Sequence, residues 1–409
     1  MSATLIKNIG ILAGIGDPSA PLRGAALAQL EQLSNAWLLV EDDTIAGYGP
    51  MDTCPGAPTA VDAAGCMLLP AWCDSHTHLV FAAGREHEFR DKLAGVSYAE
   101  IAARGGGIQA SASAVQAATE EMLFTGAWTR LEEISKTGTG AVEIKSGYGL
   151  TVEAELKMLR VIKKLRERSS LLIKSTFLGA HSIPAIYRHD TEGYIREIIE
   201  EMLPVIAAER LADYIDVFCE EGFFNPDQTA RICRAGIDYG LKPKIHANQL
   251  NVSGGVQTGV AVGAVSVDHL ESMDDAAIAS LAGASTIGCM LPGAAFFLRM
   301  PYPPAREMIA ANCALALGSD FNPGSCPTGN IPLLLSLACV NMRMMPEEAI
   351  NAVTINGAFA MGVNKEAGSI AVGKNANLIL TRPMPAISSI PYYFGSNPAD
   401  RVMLRGQWQ

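Results

Sequence analysis

From about residue 69 to 364, short apolar runs alternate with helical patterns, and nearly every run ends on a polar, chemically capable side chain. Eight runs read as strands: 67–73, 140–145, 171–178, 213–219, 242–246, 264–268, 285–291 and 314–319. Between them, residues 152–168 carry apolar side chains at 156, 159, 162 and 165, one face of a helix. Residues 191–209, 225–239, 274–281 and 346–361 read as further helices. Such alternation implies parallel strands joined by helical crossovers. His76 and His78 follow the first strand, Tyr148 the second, His181 the third and Glu220 the fourth. His246 and His269 end the fifth and sixth, and Asp320 the eighth. A doubly wound open sheet gathers its ligand at one switch point. Chemistry spread over many strand ends fits a closed (β/α)8 barrel, an α/β fold whose sites lie at the carboxyl ends of its strands.

The two chain ends read differently. Ala36-Trp37-Leu38-Leu39-Val40, a turn at Glu41-Asp42-Asp43 and Thr44-Ile45-Ala46-Gly47-Tyr48-Gly49 form a hairpin pattern. Gly368 to Gly373, Ala376 to Leu380 and Arg401 to Leu404 repeat that style near the other end. Residues 1–68 and 365–409 are therefore predicted to pair into one small β-sandwich domain beside a barrel of residues 69–364. A chain of 409 residues, 49% hydrophobic and 18% charged, has ample apolar material for both cores.

A formal net charge of −11 and the lack of a basic cluster with interleaved aromatics exclude a nucleic-acid binder. The richest basic stretch, Lys163-Lys164-Leu165-Arg166-Glu167-Arg168, reads as the solvated side of a helix. Nine Cys residues, an odd number without CxxC spacing, argue against a disulfide framework and a zinc-thiolate site, and fit a reducing cytoplasm. Met1-Ser2-Ala3-Thr4 lacks the charged start of a secretion signal. No apolar run approaches the roughly 18 residues that span a bilayer, so no membrane partner is expected.

Cys73-Asp74-Ser75-His76-Thr77-His78 leaves the first strand with His-x-His, and alternate residues of an extended chain point the same way. Both imidazoles can reach one ion. Alone, the pair can equally be structural, and Asp320 alone can cap a helix. Together with His246 after Pro243-Lys244-Ile245 and Asp320 after Leu315-Ala316-Leu317-Gly318-Ser319, they make three imidazoles and a carboxylate. That donor set suits one divalent or trivalent ion, zinc or iron, with room for a water molecule. Such an ion lowers the pKa of water from 15.7 to around 7. Asp320 is placed either to bind the ion or to accept the water's proton.

This order of ligands resembles the amidohydrolase superfamily and, within it, the imidazolonepropionases. The closer likeness rests on His76-Thr77-His78-Leu79-Val80-Phe81-Ala82 with Arg85, Ala103-Arg104-Gly105-Gly106-Gly107-Ile108 and Glu143-Ile144-Lys145-Ser146-Gly147-Tyr148-Gly149-Leu150. Leu178-Gly179-Ala180-His181, His246-Ala247-Asn248-Gln249 and Ser319-Asp320-Phe321-Asn322-Pro323-Gly324-Ser325 complete it, so it spans nearly the whole chain. Two departures stand out: Pro70-Ala71-Trp72-Cys73-Asp74 where the family has Pro-Gly-Phe-Val-Asp, and Asn248 where Asp is commoner. The resemblance implies hydrolysis of 4-imidazolone-5-propanoate to N-formimino-L-glutamate in histidine breakdown, by a homodimer acting on a small molecule. It implies that His76, His78, His246 and Asp320 hold the ion. It implies that Arg85, Tyr148, His181, Gln249, Asn322, Gly324 and Ser325 contact substrate or product, with Asp320, His269 and His181 as the catalytic candidates.

Other polar residues carry plainer readings. Lys145 is read as a structural ion pair, because one ion is expected and no bridging ligand is needed. His87 and His189 lie in polar stretches and read as surface. Glu220, at a strand end, fits a site or a structural role equally. Gly105-Gly106-Gly107 lacks the Lys-Ser/Thr of a phosphate loop and reads as a mobile active-site loop. A ring deaminase is the nearest rival reading, but such relatives carry Glu three residues after the fifth-strand His, and here Gln249 cannot titrate. A non-catalytic scaffold is disfavoured because all four ligands are present.

Overall fold

A computed structural model describes residues 3–57, 59–96, 100, 104 and 106–409. Ala103 and Gly105 of the glycine-rich motif, and Met1 and Ser2 of the amino terminus, lie outside the described residues.

Eight parallel strands pair in sequence order: Trp72–Asp74, Thr139–Lys145, Leu172–Ala180, Tyr214–Cys219, Lys242–Ala247, Ser266–His269, Ile287–Met290 and Leu315–Leu317. The first and eighth meet just beyond their ends. Thr77 bridges Phe321. The Asp320 N–H donates to the His76 carbonyl at 2.9 Å, and the His78 N–H to the Phe321 carbonyl at 2.9 Å. The barrel therefore closes through the segments that carry three of the expected ligands. Helices between the strands start where expected. Thr151 accepts from the Ala154 N–H to open Val152–Arg168, Asn225 and Gln228 form a capping box on Pro226–Asp238, and Asp274 caps Asp275–Ala282.

The two chain ends build one eight-stranded sheet. Strands Ala3–Ala13, Gln32–Glu41, Thr44–Pro50, Thr59–Asp62 and Met67–Pro70 come from the first end, and Leu378–Thr381, Ala399–Leu404 and Gln407–Trp408 from the other. The ends join where Leu68, Leu69 and Pro70 pair antiparallel with Leu380, Ile379 and Leu378. Alternation sorts the side chains into two layers. Leu68, Leu378, Leu380 and Met403 enter the sheet's own core with Ile6, Leu38 and Ile45. Met67, Leu69, Ile379, Val402 and Leu404 face the barrel's core.

Four expectations are corrected. The run 67–73 is two strands, because the chain changes sheets at Pro70-Ala71: the Ala71 N–H donates to the Asn377 carbonyl in one sheet and the Trp72 N–H to the Gly138 carbonyl in the other, each at 2.9 Å. The helix expected over 191–209 widens into a π turn at Ile198–Met202, just before Pro204, which has no N–H to donate back. That expected over 346–361 breaks at Thr354, whose backbone (φ −115°, ψ −92°) leaves the helical region. Gly368 to Gly373 contributes only a single bridge, Ile370 to Ile15.

Ile379, fully buried, is the residue through which the sheet grips the barrel. Ile379→Ala is expected to cost about 2–5 kcal/mol, read as a lower melting temperature in calorimetry; an unchanged transition would show that the two layers do not depend on this contact.

Candidate metal centre and active site

The local chain at the strand ends is unusually shaped. Leu150, Asn248, His269, Leu270 and Asp320 all have positive φ, from +54° to +91°, conformations that side-chain-bearing residues adopt at a cost. These residues turn the chain back over the barrel mouth and aim its side chains inward.

His76, His78, His246 and Asp320 converge, each at most 2% exposed. His78 Nε2 lies 3.4 Å from His246 Nε2, and Asp320 Oδ1 lies 3.6 Å from both His76 Nε2 and His78 Nε2. Donors about 2.1 Å from one tetrahedral ion sit about 3.4 Å apart. His76 with His78 and Asp320, and His76 with His246 and His269, are the two groupings tight enough to share an ion.

Tautomers follow from what stands behind the rings. His76 Nδ1 bonds Asp268 Oδ2 at 2.7 Å, and His246 Nδ1 bonds Asp216 Oδ2 at 2.9 Å. A carboxylate only accepts, so Nδ1 carries a proton in both rings, which turns each Nε2 towards the centre. Burial, reinforced by Lys145 and the neighbouring imidazoles, holds His76 well below the usual histidine range, so it is neutral. Burial and His181 do the same to His78. His76 Nε2 and His78 Nδ1 have no hydrogen-bond partner among the described residues. His76 Nε2, buried without a hydrogen-bond partner and 3.6 Å from Asp320 Oδ1, fits a metal ligand.

The remaining candidates surround this centre. His181 Nδ1 bonds the Gly147 carbonyl at 3.0 Å, and burial followed by His246 pushes its pKa down to about 3, leaving a neutral ring 5.2 Å from that of His78. Gly147 has φ +107° and a Cβ there would lie 2.9 Å from His181 Nδ1, so glycine is needed for that approach. The Tyr148 ring lies 5.7 Å from His78, 5.3 Å from His181 and 5.9 Å from the Arg85 guanidinium. His269 Nδ1 faces Glu271 Oε1 at 3.4 Å; burial opposes its charge, but Glu271 outweighs this and raises its pKa. Gln249 is 8% exposed beside Ser272. Arg85 sits 3.9 Å from Glu88 and presses its guanidinium onto Gly324, where a side chain would collide with it.

The side chains of Asn322 and Ser325 are spent inside their own loop. Asn322 Oδ1 accepts from the Gly324 and Ser325 N–H groups at 2.7 and 2.8 Å, and its Nδ2 donates to the Asp320 carbonyl and Ser325 Oγ at 2.6 Å each. Ser325 Oγ in turn donates to Asp320 Oδ2 at 2.9 Å. Glu220 likewise accepts from the Glu221 and Leu250 N–H groups and braces the loop after the fifth strand. His87 and His189 are exposed, as read.

Four residues escaped sequence reasoning: Asp216 and Asp268 behind the histidines, Glu271 behind His269, and Glu155, which accepts from the Gly147, Gly149 and Leu150 N–H groups to hold the Tyr148 loop. For the two aspartates the signal was present: Asp216 stands between Ile215 and Val217, and Asp268 between Val267 and His269, in strands that point every second side chain into the barrel.

Residues 67–408 match the model of the amidohydrolase family. The chain is 54% identical over 407 residues to the imidazolonepropionase of Flavobacterium johnsoniae, covering 99% of each, and 51% identical to that of Christiangramia forsetii, covering 98% of this chain and 99% of the relative. The chain belongs to the imidazolonepropionase family of amidohydrolases. In fold it also resembles a zinc-bound adenosine deaminase from Xanthomonas campestris, with a TM-score of 0.69 and 16% identity over 100% of this chain and 92% of that one. At that identity the likeness is one of fold alone. Nothing in the family match conflicts with the donor set described above.

Asn322→Ala removes four bonds from the loop that aims Asp320. The variant is expected to melt lower and to retain less metal through dialysis than the unaltered protein; equal retention, read by elemental analysis, would show that the loop holds Asp320 without it.

Proposed function

We propose that this chain opens the ring of 4-imidazolone-5-propanoate by hydrolysis, giving N-formimino-L-glutamate in histidine degradation. The observation that carries this is the convergence of three buried imidazoles and the Asp320 carboxylate beside Arg85, in a chain that belongs to this family. In the reaction, water adds to the ring carbonyl carbon, the carbon–nitrogen bond breaks, and a proton passes to the departing nitrogen.

In our reading His76, His78, His246 and Asp320 hold one ion, zinc or iron. Bound there, it supplies Lewis acidity and lowers the pKa of water towards about 7. Asp320, a carboxylate at the centre, is placed to take a proton from water and return it to nitrogen. Its Oδ2 is fixed by Ser325 while Oδ1 faces the histidines. His181 and His269 flank the centre, where a donor can meet the negative charge that develops on the carbonyl oxygen, an interaction of about 3–4 kcal/mol in well-ordered sites. Arg85 offers a planar fork for the propanoate, and its Nε is buried with no hydrogen-bond partner among the described residues. Tyr148 and Gln249 complete the wall, and Asn322, Gly324 and Ser325 shape it. Deamination is disfavoured because Gln249 stands where a titrating carboxylate is needed.

We place the enzyme in a reducing cytoplasm, in keeping with nine unpaired thiols. Among the described residues no helix is long and apolar enough to cross a membrane. A homodimer is our proposed working unit, supported by the exposed apolar trio Tyr392, Tyr393 and Phe394.

With purified protein, the absorbance of imidazolone propanoate should fall; a stable spectrum in the presence of metal would refute the activity. His246→Ala should lose bound metal and nearly all turnover, and retention of both would remove it from the ligand set. Arg85→Ala should raise KM by about ten- to a hundredfold, the loss of a charge-assisted hydrogen bond. An unchanged KM would mean that the propanoate is recognised elsewhere.

A further inference from the structure

Beneath the ligands, four strands point charged side chains into the barrel. Glu143 and Lys145 come from the second strand, Asp216 from the fourth, Lys244 from the fifth and Asp268 from the sixth; none is more than 1% exposed. Two ammonium groups and three carboxylates thus share a buried interior, where an unpaired charge is very costly.

The two lysines touch different things. Lys145 Nζ lies 2.7 Å from Glu143 Oε1, 2.9 Å from Asp216 Oδ2 and 3.5 Å from Asp268 Oδ2. Those two aspartate oxygens are the same atoms that accept from Nδ1 of His246 and His76. Lys244 Nζ instead meets Glu143 Oε2 at 2.7 Å and the carbonyls of Ser75 and Ala360 at 3.0 and 3.3 Å, and it stands 4.0 Å from Asp268.

We propose that Lys145 is a positioning residue for the metal centre: its ammonium clamps Asp216 and Asp268 together and so fixes the direction of two ligand imidazoles. The proposal rests on the metal-centre reading above. The two aspartates come from the fourth and sixth strands, and they share the Lys145 ammonium as a counter-charge. Without it, two like charges face each other in a low dielectric and draw apart, each taking its imidazole with it. One ammonium has three protons, and three carboxylates surround it, so its orientation is set. Lys244 balances Glu143 and braces backbone; it does not reach the carboxylate oxygen behind His246, and it is only at the limit of ion-pair range from the one behind His76.

The test compares Lys145→Met with Lys244→Met. Zinc affinity is measured by competition with a chromogenic chelator, and melting temperature is measured for the metal-free and zinc-loaded forms. Lys145→Met is expected to bind zinc about 10–100-fold more weakly and to show a smaller zinc-induced rise in melting temperature. Lys244→Met is expected to lower both melting temperatures alike and to keep its zinc affinity. A merely structural Lys145 would behave as Lys244 does. If Lys145→Met does not fold, Lys145→Met with Glu143→Gln, which removes one charge of each sign, carries the same measurement. Zinc affinity equal to that of the unaltered protein, or equal losses in the two single variants, overturns the proposal. Unaltered protein with no zinc affinity overturns the metal-centre reading itself.

Discussion

A ligand imidazole must be neutral and present a bare nitrogen, and the groups packed behind His76 and His246 serve that requirement. The two Nε2 atoms of His78 and His246 stand 3.4 Å apart in a buried interior. Two carboxylates behind the rings fix which nitrogen is bare, at 2.7 Å for His76 and 2.9 Å for His246. Burial discourages protonation, which would otherwise destroy the ligand form. The carboxylates carry charge into the interior in turn, and buried lysines answer it. Burial opposes the charge on Lys145, but Asp216, Glu143 and Asp268 outweigh it and hold its pKa above the usual lysine range. The barrel interior is therefore a salt lattice capped by the candidate metal ligands, wrapped in the aliphatic layer that faces the helices.

Closure and chemistry are coupled in this chain. The hydrogen bonds that seal the first strand to the eighth run through the backbone of His76, His78 and Asp320. The barrel cannot close in another register without scattering the ligands. The same economy appears at the loops. Asn322, Glu220 and Glu155 each spend buried acceptors on neighbouring N–H groups, so the loops bearing Asp320, Gln249 and Tyr148 are held from behind. The positive-φ residues at the strand ends are strained, and these loop anchors hold them there.

Much of this was legible in the amino-acid order. Strand–helix alternation gave the barrel, because each crossover carries its own period, and strand-end residues gave the cluster at its mouth, because parallel strands deliver their carboxyl ends to one face. Terminal pairing was legible because both ends read as short β runs, unlike the alternation between them. The switch at Pro70 was hidden, since an apolar run does not say which sheet each half joins. The lattice was hidden for a different reason: single-sequence patterning treats Glu143 and Lys244 as surface charges until partners on other strands are known. Asn322 shows the reverse limit. Its position in a site motif suggested a ligand contact, whereas its four bonds inside the loop are visible only in three dimensions.

The central claim is that one ion sits among four side chains contributed by the first, fifth and eighth strand ends. Anomalous diffraction from metal-loaded crystals at the zinc and iron absorption edges tests it directly. The account predicts one peak per chain, about 2.0–2.2 Å from His76, His78 and His246 nitrogens and from an Asp320 oxygen. Two peaks bridged by Lys145, or a single peak away from these four residues, would contradict it.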